Sequence, residues 1–123
     1  MAEFSITRHP TYEEVRVEGV MSLAMVREIV GELAKAEDFH RRHVLWNFGL
    51  DVHPLAFHEF DNVIGMLEKV YARGTVRDKK VALVAQGPFA RSVATVFKEQ
   101  ARSLPVSLRV FDELETARGW IEG

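Results

Sequence analysis

Val44-Leu45-Trp46-Asn47-Phe48 and Val81-Ala82-Leu83-Val84-Ala85 are the two stretches on which the fold turns. Each is an apolar run too short for a helix, and neither alternates polar with apolar residues. That is the pattern of an interior strand covered on both faces. Between them Phe60, Val63, Ile64, Leu67 and Tyr71 recur at helical spacing, with Pro54 placed at the first turn, where a missing amide costs little. A strand, an amphipathic helix and a second strand joined by short loops demand a parallel pair with a right-handed crossover.

The chain on either side extends this unit. Toward the N-terminus, Phe4 and Ile6 share one side of a strand, and Val15 and Val17 alternate with Glu14, Arg16 and Glu18. His9-Pro10-Thr11 lies between them, so the two strands are expected to form an antiparallel hairpin. Ser22 offers a side-chain oxygen to a helix start, followed by Val26, Ile29, Val30 and Leu33 at helical spacing. Toward the C-terminus, Arg73 to Lys80 is polar and mostly basic and reads as a solvated loop. After Gln86-Gly87-Pro88 turns the chain, Phe89, Val93, Val96 and Phe97 form a third stripe, which Pro105 closes. Val106, Leu108 and Val110 then alternate as a half-covered strand. Asp112 and Glu115 have the spacing of a capping box ahead of Leu114, Ala117 and Ile121, which face inward. The expected architecture is α/β: a five-stranded mixed sheet in the order β-β-α-β-α-β-α-β-α, with residues 1–123 forming one domain.

Composition removes whole classes of function. Sixteen Lys and Arg against eighteen Asp and Glu leave a formal charge of −2, too weak a field to attract a polyanion, so nucleic acid is not an expected partner. The longest uninterrupted apolar run is Val81–Ala85, far short of the roughly 18 residues a membrane span needs, and Met1-Ala2-Glu3 opens no signal peptide. A cytoplasmic location is expected. With no cysteine there is no disulfide, thiolate metal site or thiol nucleophile.

The order of elements, with Val15-Arg16-Val17-Glu18-Gly19 ahead of helix one and the two interior strands, resembles the STAS domain. That fold is shared by bacterial anti-sigma-factor antagonists and the cytoplasmic tails of sulfate transporters. The final segment, Leu108-Arg109-Val110-Phe111-Asp112-Glu113-Leu114-Glu115-Thr116-Ala117 running to Trp120, is most similar to small standalone bacterial members of unassigned function. The resemblance implies a noncatalytic module whose working surface is the loop at the start of helix two. It also implies, less directly, binding of small or lipid-like ligands. Regulatory members carry an Asp-Ser-Ser-Gly-like stretch there, with a phosphorylated serine. The matching stretch here is Asp51-Val52-His53-Pro54, and no serine or threonine lies between Arg42 and Gly74, so no phosphoacceptor is assigned.

The residues offer few sites of their own. Asp51, His53, His58 and Glu59 gather metal-capable atoms near one helix start, but positions five apart on a helix diverge by about 140°, so no metal site is assigned. The same group could supply a general acid and base, making His53 or His58 the centre of an enzyme, yet no nucleophile accompanies it and no catalytic residue is assigned. Gly87, Phe89 and Arg91 open helix three after a buried strand, where exposed amides and a guanidinium could hold an anion, although a tight turn alone explains Gly87 and Pro88. His40-Arg41-Arg42-His43 reads as a solvated cationic loop, and Trp46 and Trp120 as core.

One feature points to association. If every crossover helix lies on one face of the sheet, the other apolar face needs a cover. A partner subunit, an apolar ligand, the hairpin, a loop or the last helix could each supply it. The expectation is therefore a protein partner or self-association through Asp51, His53, His58, Gly87, Phe89 and Arg91, or a small apolar or anionic ligand, with no cofactor.

Overall fold

A computed structural model describes residues 3–123. Its strands are β1 (Glu3–Arg8), β2 (Tyr12–Glu18), β3 (His43–Phe48), β4 (Lys80–Ala85) and β5 (Ser107–Phe111), and its helices α1 (Leu23–Leu33), α2 (Phe60–Tyr71), α3 (Pro88–Gln100) and α4 (Leu114–Glu122). The strands lie side by side in chain order, β1 antiparallel to β2 and every later pair parallel. The two interior runs are neighbours, with Trp46 opposite Leu83. The expected sheet, element order and hairpin are all present.

Because side chains alternate across a strand, the register sorts them onto two faces. Val15, Val17, Val44, Trp46, Val81, Leu83 and Ala85 face α1, α2 and α3, whose buried stripes include Ile29, Val30, Val63, Ile64 and Val93. Leu45, Ala82, Val84 and Phe111 face the other way and are covered by Ala117 and Ile121 of α4, with Leu114 and Trp120 at the margin. Of the covers expected for this face, the last helix is the one that supplies it. Its small contact suffices because that face is apolar only at Tyr12 of β2 and over β3, β4 and the end of β5. Toward β1 and β2 it carries Ser5, Thr7, Arg16 and Glu18, all exposed.

Polar contacts hold α4 in place. The Arg118 guanidinium donates to Glu14 of β2 at 2.9 Å, and Lys80 Nζ donates to the Trp120 carbonyl at 2.8 Å. Asp112 and Glu115 do not form the expected capping box. Glu113 occupies the N-cap without a side-chain hydrogen bond, Asp112 pairs with Arg91 and Glu115 pairs with Arg118. Each carboxylate is instead directed to a guanidinium from a neighbouring position. The Ser22 cap forms as expected, its Oγ accepting from Met25 N at 3.1 Å.

Two basic residues read as solvated are packed in at the end of the sheet where the parallel strands begin, Arg42 half-buried and Lys79 buried. Arg42 donates to the carbonyls of His9 and Pro10, pairs with Asp38 at 3.2 Å, and lies 3.4 Å from the buried Glu13 carboxylate, so it fastens the α1–β3 loop to the hairpin turn. Lys79 is 1% exposed. Its Nζ donates to the Phe39 carbonyl and lies 3.9 Å from the centre of the Phe39 ring and 5.6 Å from that of Tyr71. Burial lowers the Lys79 amine to about 8 against the pull of Glu13 and Asp38, and burial pushes the Tyr71 phenol up to about 12. A period-based reading cannot see this. Charge runs are usually hydrated, and only tertiary contacts show which member is carried inside.

Helix two also starts later than Pro54 suggested. Pro54 lies in an irregular segment, and a single 3-10 turn, Phe57–Glu59, precedes α2. The reason lies in the segment after β2: the His53 amide donates to the Gly19 carbonyl and its own carbonyl accepts from Met21, each at 2.9 Å, which holds Val20 and His53 in an extended bridge.

Candidate functional site

Parallel strands deliver their C-terminal ends to one edge, so the loops after β2, β3, β4 and β5 form a common rim, the usual location of binding sites in open α/β sheets. The loop after β3 is anchored at both ends. Gly49 N donates to Val17 O at 3.0 Å, the His53 bridge ties its middle to the end of β2, and the Glu59 carboxylate accepts from Ala56 N at 3.1 Å ahead of α2. After β4, Gly87 holds a φ of 90°, a conformation that only glycine adopts without strain, and Pro88 begins α3 directly behind it.

This geometry pushes apolar side chains outward. Val20, Leu50, Phe57 and Phe89 are 55%, 77%, 54% and 71% exposed, and among the described residues they are the four large apolar side chains left in solvent. All four stand on the rim. Phe89 was expected in the inward stripe of helix three. As the second residue of a helix entered through a positive-φ glycine it points off the sheet instead, while Val93 and Ala94 make the buried contacts. Sequence periodicity gives no signal for Leu50 or Phe57, since a loop residue has no face to assign.

The titratable candidates are on the same rim but do not converge. Asp51, His53 and His58 are exposed, and no side-chain hydrogen bond or ion pair joins them among the described residues. The arrangement offers no oriented acid and base, a requirement for proton transfer in a protected site. Arg91, the candidate anion ligand, pairs with Asp112 at 3.0 Å across the ends of β4 and β5, both side chains being exposed.

Beneath the rim lies a second feature that the sequence did not announce. A cavity of about 130 Å³ runs between the sheet and the helical layer, lined by Trp46, Phe48, Leu55, Phe60, Ala94 and Phe97 among others, almost entirely apolar. Phe60 meets Phe97 edge-on at 5.3 Å, and Phe57 leans on Phe60 at 5.6 Å, so the exposed rim and the cavity wall share an aromatic row. At its far end the wall includes Phe39 and Tyr71, the two rings beside the Lys79 ammonium.

No family model matches the sequence, and no curated protein matches it. Solved structures do. The chain is similar to an anti-sigma factor antagonist from Mycobacterium paratuberculosis at 15% identity and a TM-score of 0.61, covering 100% of this chain and 96% of that one. It is also similar to an uncharacterized protein of the DUF3478 family with a SpoIIAA-like fold from Shewanella loihica PV-4, at 14% identity and a TM-score of 0.58, covering 98% and 93%. The chain thus has the SpoIIAA-like, or STAS, fold over its whole described length. Identities this low establish the fold and leave function to the residues.

Proposed function

We propose that the chain is a noncatalytic binding module that works by contact with another protein, using the segment from Gly49 to His58 and the helix-three turn as its contact surface. Asp51, His53, His58, Gly87, Phe89 and Arg91 belong to that surface, with Leu50 and Phe57 as its apolar anchors. One observation carries the reading: every exposed large apolar side chain among the described residues stands on this rim. Leaving an aromatic ring in water forgoes roughly 1.5–3 kcal/mol of burial, and four such residues on one edge suit an interface core bordered by polar groups. The anti-sigma-factor-antagonist fold agrees with a regulatory contact. The test is capture from source cells by wild type, Leu50→Asp/Phe89→Asp, and a control pair on the opposite edge, Arg73→Glu/Arg77→Glu. A partner kept by the control and lost by the rim variant supports the proposal, and identical partner sets refute it.

A second reading is favoured by the cavity: carriage of a small apolar ligand. At about 130 Å³ it is close to an engineered apolar cavity of 150 Å³ that admits benzene, and well below the 300–1,000 Å³ typical of drug-sized ligands. A ligand larger than one ring requires the helical layer to move outward. Native mass spectrometry of freshly purified protein reads this directly. A co-purified apolar mass supports carriage, and bare protein with no thermal shift from benzene or longer hydrocarbons refutes it.

A further inference from the structure

The apolar rim is bordered by charge of one sign. Asp51, Glu59, Asp61, Asp112, Glu113 and Glu115 lie in the strand-end loops after β3 and β5 and in the first turns that follow them. Arg91 is the single Lys or Arg in the corresponding loops and first turns, and it is paired with Asp112. The opposite edge is mixed, with basic residues in excess: Arg8, Arg41, Arg73, Arg77 and Arg102 are exposed there beside Glu37, Asp78 and Glu99, with Arg8 paired to Glu13 and Arg102 to Glu99. A formal charge of −2 for the whole chain therefore hides a molecule polarised from end to end.

Some of the rim carboxylates have local explanations. Glu59 accepts from Ala56, Asp61 and Glu115 sit in first helical turns where the helix dipole favours an acid, and Asp112 has Arg91. Asp51 has none, and Glu113 has only its place at a helix N-terminus. Asp51 lies outside any helix, and Glu113 occupies an N-cap without making the cap hydrogen bond. Both are exposed and flank the apolar residues of the rim.

We infer that the partner of this rim is a cationic protein segment, one that presents Lys or Arg beside apolar anchors, as on a basic amphipathic helix. The inference rests on the proposed contact surface and adds the chemistry of what docks there. Complementary charge steers encounter and rejects partners of the wrong sign, so an acidic frame around an apolar centre selects against acidic segments and against anionic membranes. A second copy of this chain fits poorly. Its own basic edge carries none of the exposed large apolar side chains, so docking there would match the charges and leave the apolar centre unmet. A head-to-tail contact of that kind also does not close on itself.

The experiment uses the full chain and three probes: a synthetic helical Leu/Lys peptide, its Leu/Glu counterpart, and vesicles containing anionic lipid. Binding is read by fluorescence anisotropy at 0.05 M and 0.5 M salt. The Leu/Lys peptide is expected to bind alone among the three, about tenfold more weakly at the higher salt, and about tenfold more weakly to Asp51→Lys/Glu113→Lys, while Arg73→Glu/Arg77→Glu has no such effect. Circular dichroism confirms that the variants fold. Preference for the Leu/Glu peptide or for vesicles, absence of binding, self-association in its place, or indifference to the rim charges overturns the inference. Loss of a cellular partner in Leu50→Asp/Phe89→Asp with none in Asp51→Lys/Glu113→Lys would sink the cationic class and leave the contact surface standing.

Discussion

Replacing Lys79 by Met should change how stability depends on pH more than it changes the fold. In the folded chain the amine sits at about 8 against an unfolded value of 10.5. The unfolded state therefore binds more protons between those values, and stability rises with pH across that window. The difference between the two values corresponds to about 3 kcal/mol, of which about 2 kcal/mol is gained between pH 7 and pH 9.5. Other shifted groups leave this interval clear. His43 is lowered by burial from 6.5, so its contribution is complete by pH 7. Tyr71 and Tyr12 are raised from 10.0, so they begin to remove stability only above about pH 10.

Urea unfolding followed by circular dichroism at pH 7, 8.5 and 9.5 measures this effect. Wild type should gain about 2 kcal/mol across the series, and Lys79→Met should remain flat. At pH 7 the variant escapes the cost of a buried ammonium but leaves the Phe39 carbonyl without its donor, a loss of about 1–3 kcal/mol, so the two nearly offset there. A wild-type curve that is flat or falls over this range would refute the reasoning. It would mean that Glu13, Asp38 and the faces of Phe39 and Tyr71 fully compensate the desolvation.

Three more perturbations follow from the packing. Ala94→Leu should fill part of the 130 Å³ cavity, raise stability by about 1–2 kcal/mol at about 0.8 kcal/mol per buried methylene, and abolish benzene binding, all readable by thermal melts with and without ligand. Ile121→Ala, under α4, should cost about 2–5 kcal/mol and increase binding of a dye specific for exposed apolar surface, because Leu45, Ala82 and Val84 lose part of their cover. Gly87→Ala meets no atom within 4 Å, so its cost is the strained backbone alone, about 1–3 kcal/mol in denaturant unfolding, with no loss of helix content.

The sheet was legible because its information is local. Val44–Phe48 and Val81–Ala85 declare interior strands by composition, and the helical stripe between them forces a parallel pair wherever the rest of the chain goes. Ser22 declares a helix start for the same reason, since a cap is a contact between residues three apart. What only the tertiary structure decided concerns residues with no periodicity to read or with two competing partners. Asp112 met Arg91 of α3 in place of its own helix, Lys79 entered the core from a basic run, and α4 settled on the face that the crossover helices leave bare. The outward turn of Leu50, Phe57 and Phe89 belongs to the same class. A loop side chain has no intrinsic inside or outside, and it acquires one only when strands distant in sequence bring their ends to a common edge.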